Sequence, residues 1–113
     1  MRIAVASSNG KDVDLHFGKA RSICIFDFDE EGNNKTFVER RTVEFESGQK
    51  HQWMKTLNTI GDCDVVICVQ SGFKSKFGIE EAGLKLVEDE GSIDEVLNRY
   101  IDHYKFMKAP VLI

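Results

Sequence analysis

The chain has 113 residues, 42% of them hydrophobic and 30% charged, with a net charge of −4; that suffices for one domain, residues 1–113, and is too little for two of ordinary size. The acidic balance, with an isoelectric point near 5.3, argues against general affinity for nucleic acid or anionic membrane, which needs a surplus of Lys and Arg. The longest apolar runs, such as VVICV at 65–69, are too short to span a bilayer, and the amino terminus turns polar too soon for a signal peptide, so a cytoplasmic protein is expected.

RIAVAS (2–7) is an apolar run of the kind buried on both faces of a sheet. SSNGKD (7–12) follows with turn chemistry, and DLHFGKA (14–20) leads into SICIFDF (22–28), which alternates with period two. DEEGNN (29–34) is dense in turn formers and KTFVERRTVEF (35–45) alternates again, so the two extended runs predict an antiparallel hairpin. The period then changes. Trp53, Met54, Leu57 and Ile60 fall at helical spacing, with Gly61 placed to end the helix. DVVICV (64–69) predicts another buried strand, Lys74 to Ala82 a short helix, and LKLV (84–87) a brief strand. Ser92 with Glu95 forms a capping box, after which Ile93, Val96, Leu97, Tyr100, Ile101 and Tyr104 recur at i, i+3, i+4, i+7, i+8 and i+11. KFMKAPVLI (105–113) is an apolar tail expected to dock on the domain. Strand, hairpin, then strands and helices in alternation predict a three-layer α/β domain, with about five strands in a mixed sheet and helices on both faces.

Open α/β sheets keep their ligands in loops at the carboxyl ends of central strands. His16 lies in the loop after the first strand, and QSGFKSK (70–76) follows the DVVICV strand. If those strands are neighbours, the two loops share one edge, and His51, before the first helix, is within reach of it. Imidazole suits Fe, Cu, Zn and Ni, while thiolate suits softer metals and iron–sulfur clusters. Each of these residues also has a bland role: His16 as a loop residue, His51 as a solvated residue in a first turn, and Cys68 as a buried inert thiol. Cys24 and Cys63 stay open between the two, and His103 falls on the polar side of the last helix. Lys74, Lys76, Arg40 and Arg41 suit either a small anion-binding patch or ordinary surface charge.

Several chemistries lack their residues. No P-loop, GxGxxG or GxSxG is present. A two-metal nuclease wants a carboxylate on the first strand, which here reads IAVAS.

The opening MRIAVASSNGKDVDLHFGKA resembles the dinitrogenase iron–molybdenum cofactor biosynthesis family, which includes NifX-like proteins and the carboxyl-terminal domain of NifB. The matched features are Ile3 to Ser7, then His16-Phe17-Gly18 and Ala20, then Arg40 or Arg41, Gly48 and His51, DCDVVI (62–67), Gly72, and Ile79 with Gly83. The chain departs from the family pattern at Gln70 and Phe73, and no histidine-rich stretch surrounds His51. The resemblance covers residues 1 to 104 and implies a ribonuclease H-like three-layer fold with a five-stranded mixed sheet. It further implies a non-enzymatic carrier or scaffold for an iron- or molybdenum-containing sulfide cluster, with cluster donor and acceptor proteins as partners. His16 would then be a ligand or hydrogen-bond donor, Phe17 a shield, Gly18 a point of close backbone approach and Gly72 a source of amide donors, with His51 and Cys63 as further candidates. The alternative is a metal-free module that binds a protein or a small anion at the same edge.

Overall fold

The computed structural model describes residues 1–50 and 52–109. Its main sheet contains β1 (Arg2–Ala6), β3 (Ser22–Asp29), β4 (Asn34–Thr42), β5 (Val65–Cys68) and β6 (Lys85–Glu88), in the order β4-β3-β1-β5-β6. The two-residue strands β2 (Asp12–Val13) and β7 (Gly91–Ser92) form a separate antiparallel pair. The sheet is mixed as expected: β1 runs antiparallel to β3 and parallel to β5, and β3 and β4 form the hairpin.

Period-two alternation divides β1 between two cores. Ile3 and Val5 join Val65 and Ile67 under α3 (Ile93–Lys108), against Val96, Leu97 and Ile101. Ala4 and Ala6 face the opposite layer, where α1 (Trp53–Thr59) and α2 (Phe73–Glu81) supply Leu57 and Ile79. Helices therefore cover both faces, and the three layers expected from the pattern are present.

The last helix starts where the capping box places it. Ser92 Oγ accepts the Glu95 N–H at 3.2 Å. Asp94 and Glu95 occupy the first turn and Lys105 and Lys108 the last, each of the sign that the helix dipole favours. The helix runs on to Lys108, so much of the expected docking tail is helix, and Phe106 and Met107 face solvent instead of packing. Residues 110–113 lie outside the described residues.

The helix α1 ends as expected, capped at Ile60 with Gly61 directly after it, but Met54, which the periodicity puts on the apolar face, points to solvent. Trp53 instead crosses to α2, where a Cβ on Gly78 would stand 2.5 Å from Trp53 Cζ3. The glycine lets the two helices approach there. Among the described residues, no helix is long and apolar enough to cross a membrane.

At the edge of the sheet where β1 and β5 begin, charges are tied together. Arg2 binds Asp27 and Asp62, each at 2.8 Å, and Arg41 Nη2 donates to Asp62 at 2.8 Å. The Arg41 and Arg2 guanidiniums hold the Asp62 carboxyl well below the usual carboxylate range. These acids at strand ends are thus paired with arginines.

Candidate functional site

Because β1 and β5 lie side by side and parallel, the segments after them leave the same edge of the sheet. Two backbone hydrogen bonds join these segments: Val69 N–H to Leu15 O at 3.0 Å and Phe17 N–H to Gln70 O at 2.9 Å. His16 sits between the two bonded residues of its loop, and Gly72 follows Gln70 by two. The expected sharing of one edge is therefore present, and it is rigidly made.

The loop before His16 is held by its own polar side chains. Asn9 Oδ1 accepts the N–H groups of Lys11 and Asp12, and Asp14 accepts the Ser8 N–H at 2.8 Å. Arg40 adds a brace from the hairpin, donating to Ser22 Oγ and the Ser8 carbonyl. His16 itself is exposed, and among the described residues its ring makes no hydrogen bond within the chain.

On the other side of the rim Gly72 is the N-cap of α2, and among the described residues no side chain caps it. The first turn of α2 has no acid and carries Lys74. Orphan amides and the positive end of a helix dipole favour an anion. Beneath the turn, Ser71 and Ser75 share a buried hydroxyl contact at 2.6 Å, while Glu88 accepts the Ser71 N–H and pairs with Lys76. A Cβ on Gly18 would meet nothing within 4 Å, and one on Gly72 only Ser75 Oγ at 3.8 Å. Neither glycine needs a left-handed φ. The chain's own packing therefore gives no reason for glycine at either position, and both leave backbone open to an approaching group.

Two expected assignments are corrected by this geometry. Phe17 cannot shield a ligand, since it is fully buried against Ala4, Ala6 and Ala20. Its ring anchors the rim from below. Cys63 cannot join His16, because it precedes β5 at the opposite edge, beside the start of β1; the four residues of β5 alone span ~13 Å. Its buried thiol donates to Asp62, and burial, reinforced by the Asp62 charge, pushes its pKa up to about 12. His51 lies outside the described residues.

The remaining cysteines are no better placed as ligands. Burial pushes Cys68 up to about 12, with the Glu88 charge adding to it, and raises Cys24 against the pull of Arg40. All three thiols are buried and stay protonated at neutral pH, whereas iron–sulfur centres built on the chain use thiolates. Among the described residues, no three His, Cys, Asp or Glu side chains converge to hold a metal ion. The four basic residues also divide: Arg41 goes to Asp62, Lys76 to Glu88 and Arg40 to the Ser22 hydroxyl and the Ser8 carbonyl, whereas Lys74, beside Gly72, makes no ion pair among the described residues.

Among the described residues, the rim thus offers one imidazole, open backbone and an ammonium group on a rigid frame. Residues 1–103 match the model of the dinitrogenase iron-molybdenum cofactor family. The chain belongs to that family. It is 28% identical over 95 residues to the FeMo cofactor biosynthesis protein NifB of Chlorobaculum tepidum, covering 84% of this chain and 22% of that protein. The chain therefore spans about a fifth of the length of that curated relative. Among solved structures, PH0822 is similar with a TM-score of 0.72 and 24% identity, covering 91% of this chain and 92% of that one. The apo form of the orange protein from Desulfovibrio gigas is similar with a TM-score of 0.65 and 21% identity, covering 90% and 88%. At these identities the two structures speak for the fold alone.

Proposed function

We propose that this member of the dinitrogenase iron-molybdenum cofactor family is a non-enzymatic carrier of a preformed, anionic iron– or molybdenum–sulfide unit. The unit is cargo, received from a cluster donor protein and passed to an acceptor in the cytoplasm. The observation that carries the reading is the rim itself: the exposed His16 ring and the uncapped start of α2, locked side by side by the Phe17–Gln70 and Val69–Leu15 backbone hydrogen bonds. His16 would ligate the metal or donate a hydrogen bond to sulfide. The open backbone at Gly18 and Gly72 and the ammonium of Lys74 would face its negative charge.

The donor set supports a particular kind of cargo. Because the thiols are buried and protonated, the chain is poorly equipped to build a cluster on cysteine. It is better suited to hold one already complete in sulfide through a single imidazole and several hydrogen bonds. Few and neutral ligands also suit release, which a carrier needs as much as capture. The ribonuclease H-like name belongs to this reading too. It is supported by the sheet order, in which β3 alone runs against the other four strands.

Anaerobic incubation with a preformed iron–molybdenum–sulfide cluster or with tetrathiomolybdate, followed by desalting, metal and sulfide analysis and visible absorption, tests the proposal. About one cluster per chain is expected to remain with the protein. A protein that emerges without metal or sulfide, and that instead captures a specific partner, would favour the metal-free binding module.

A further inference from the structure

The two aromatic residues of the rim are placed oppositely. Phe17 lies at 0% exposure under the loop, whereas Phe73, the first residue of α2, is 89% exposed. A phenylalanine that open adds nothing to the core, and its cost in exposed apolar surface is left uncompensated. Helical Cα–Cβ bonds tilt toward the amino-terminal end. The Phe73 ring therefore leans toward Gly72 and the rim, not toward the body of the helix. Phe77, four residues later, is also exposed, at 63%, but it stands about 6 Å further along the axis, just over a full turn from the rim. The intervening Lys74 shares the first turn with Phe73.

We infer that Phe73 is the cover of the cargo site: its ring closes over a sulfide-rich anion seated between His16 and the start of α2. This inference rests on the carrier reading and adds to it the residue that keeps water from the cargo. The chemistry fits the cargo class. Sulfide is large and polarisable, it makes favourable contacts with aromatic edges, and a hydrogen-bonded anion is held more firmly when water is displaced from around it. An oxyanion of the same charge would gain much less from the ring, so Phe73 also discriminates in favour of thioanions.

The test uses tetrathiomolybdate as the probe, with binding measured by anaerobic equilibrium dialysis on the intact chain and molybdate as the oxyanion control. Phe73→Ala is expected to weaken tetrathiomolybdate binding about tenfold, a change of 1.4 kcal/mol, while Phe73→Leu loses less and Phe77→Ala stays within about twofold of wild type. Weak molybdate binding should be unchanged by any of the three. Since the Phe73 ring is almost wholly exposed, the thermal midpoint of Phe73→Ala should match that of wild type. If wild type binds the thioanion and Phe73→Ala binds it equally well, the cover is wrong and the carrier reading stands. If Phe77→Ala weakens binding as much as Phe73→Ala, the cover is again wrong, and the whole aromatic face of α2 is responsible. If wild type binds no thioanion, both readings fall.

Discussion

Phe17→Ala is expected to cost about 3–5 kcal/mol of folding stability, the range for truncating a fully buried phenylalanine. The ring is at 0% exposure and packs among Ala4, Ala6, Ala20, Ile23 and Ile79. The alanines are small because the ring fills the space above them, so its removal leaves a cavity that the rigid sheet cannot close. Domains of this kind have only about 5–15 kcal/mol in total, so the variant should unfold at markedly lower urea concentration. The Phe17 N–H also ties the His16 loop to Gln70, so the rim should loosen with the core. A variant that unfolds like wild type but no longer retains cluster would return Phe17 to the role of shield.

His16→Ala, one residue away, should do the opposite. The His16 ring is exposed and makes no hydrogen bond within the chain among the described residues, so stability should change by no more than about 0.5 kcal/mol. Cluster retention after anaerobic reconstitution should fall at least about tenfold, as expected when a ligand is lost, since even the partners that orient a ligand are worth that much. Wild-type retention by His16→Ala would remove the imidazole from the site. Neighbouring residues thus separate the two functions of the loop: Phe17 holds the rim in place and His16 acts from it.

This separation could not be read from the sequence. Periodicity tells inside from outside only where the backbone repeats, and DLHFGKA falls between repeats, so Phe17 and His16 looked alike. The regular elements were legible for the same reason: alternation marked β3 and β4, and the capping box with its i, i+3, i+4 series marked α3. The β2–β7 pair was missed because two residues carry no period. Arg40 and Arg41 were alternatives for one role, but successive residues of a strand point to opposite faces. Arg40 braces the rim through Ser8, and Arg41 turns to Asp62. Cys63 looked available because a residue beside a strand does not announce which edge it occupies. That depends on strand direction, which only the parallel pairing of β5 with β1 decides. Phe73 stood out as a departure from the family pattern, and its exposure gives that departure a physical meaning.

The central claim is that the cargo sits between the His16 loop and the start of α2. Backbone amide NMR shifts, recorded while uniformly nitrogen-15-labelled protein is titrated anaerobically with tetrathiomolybdate, test this most directly. The account predicts that the largest shifts fall together on Phe17, Gly18 and Lys19 and on Gly72, Phe73 and Lys74, with the Asp62–Cys63 edge unmoved. Shifts centred on Cys63, or none at all at saturating thioanion, would contradict it.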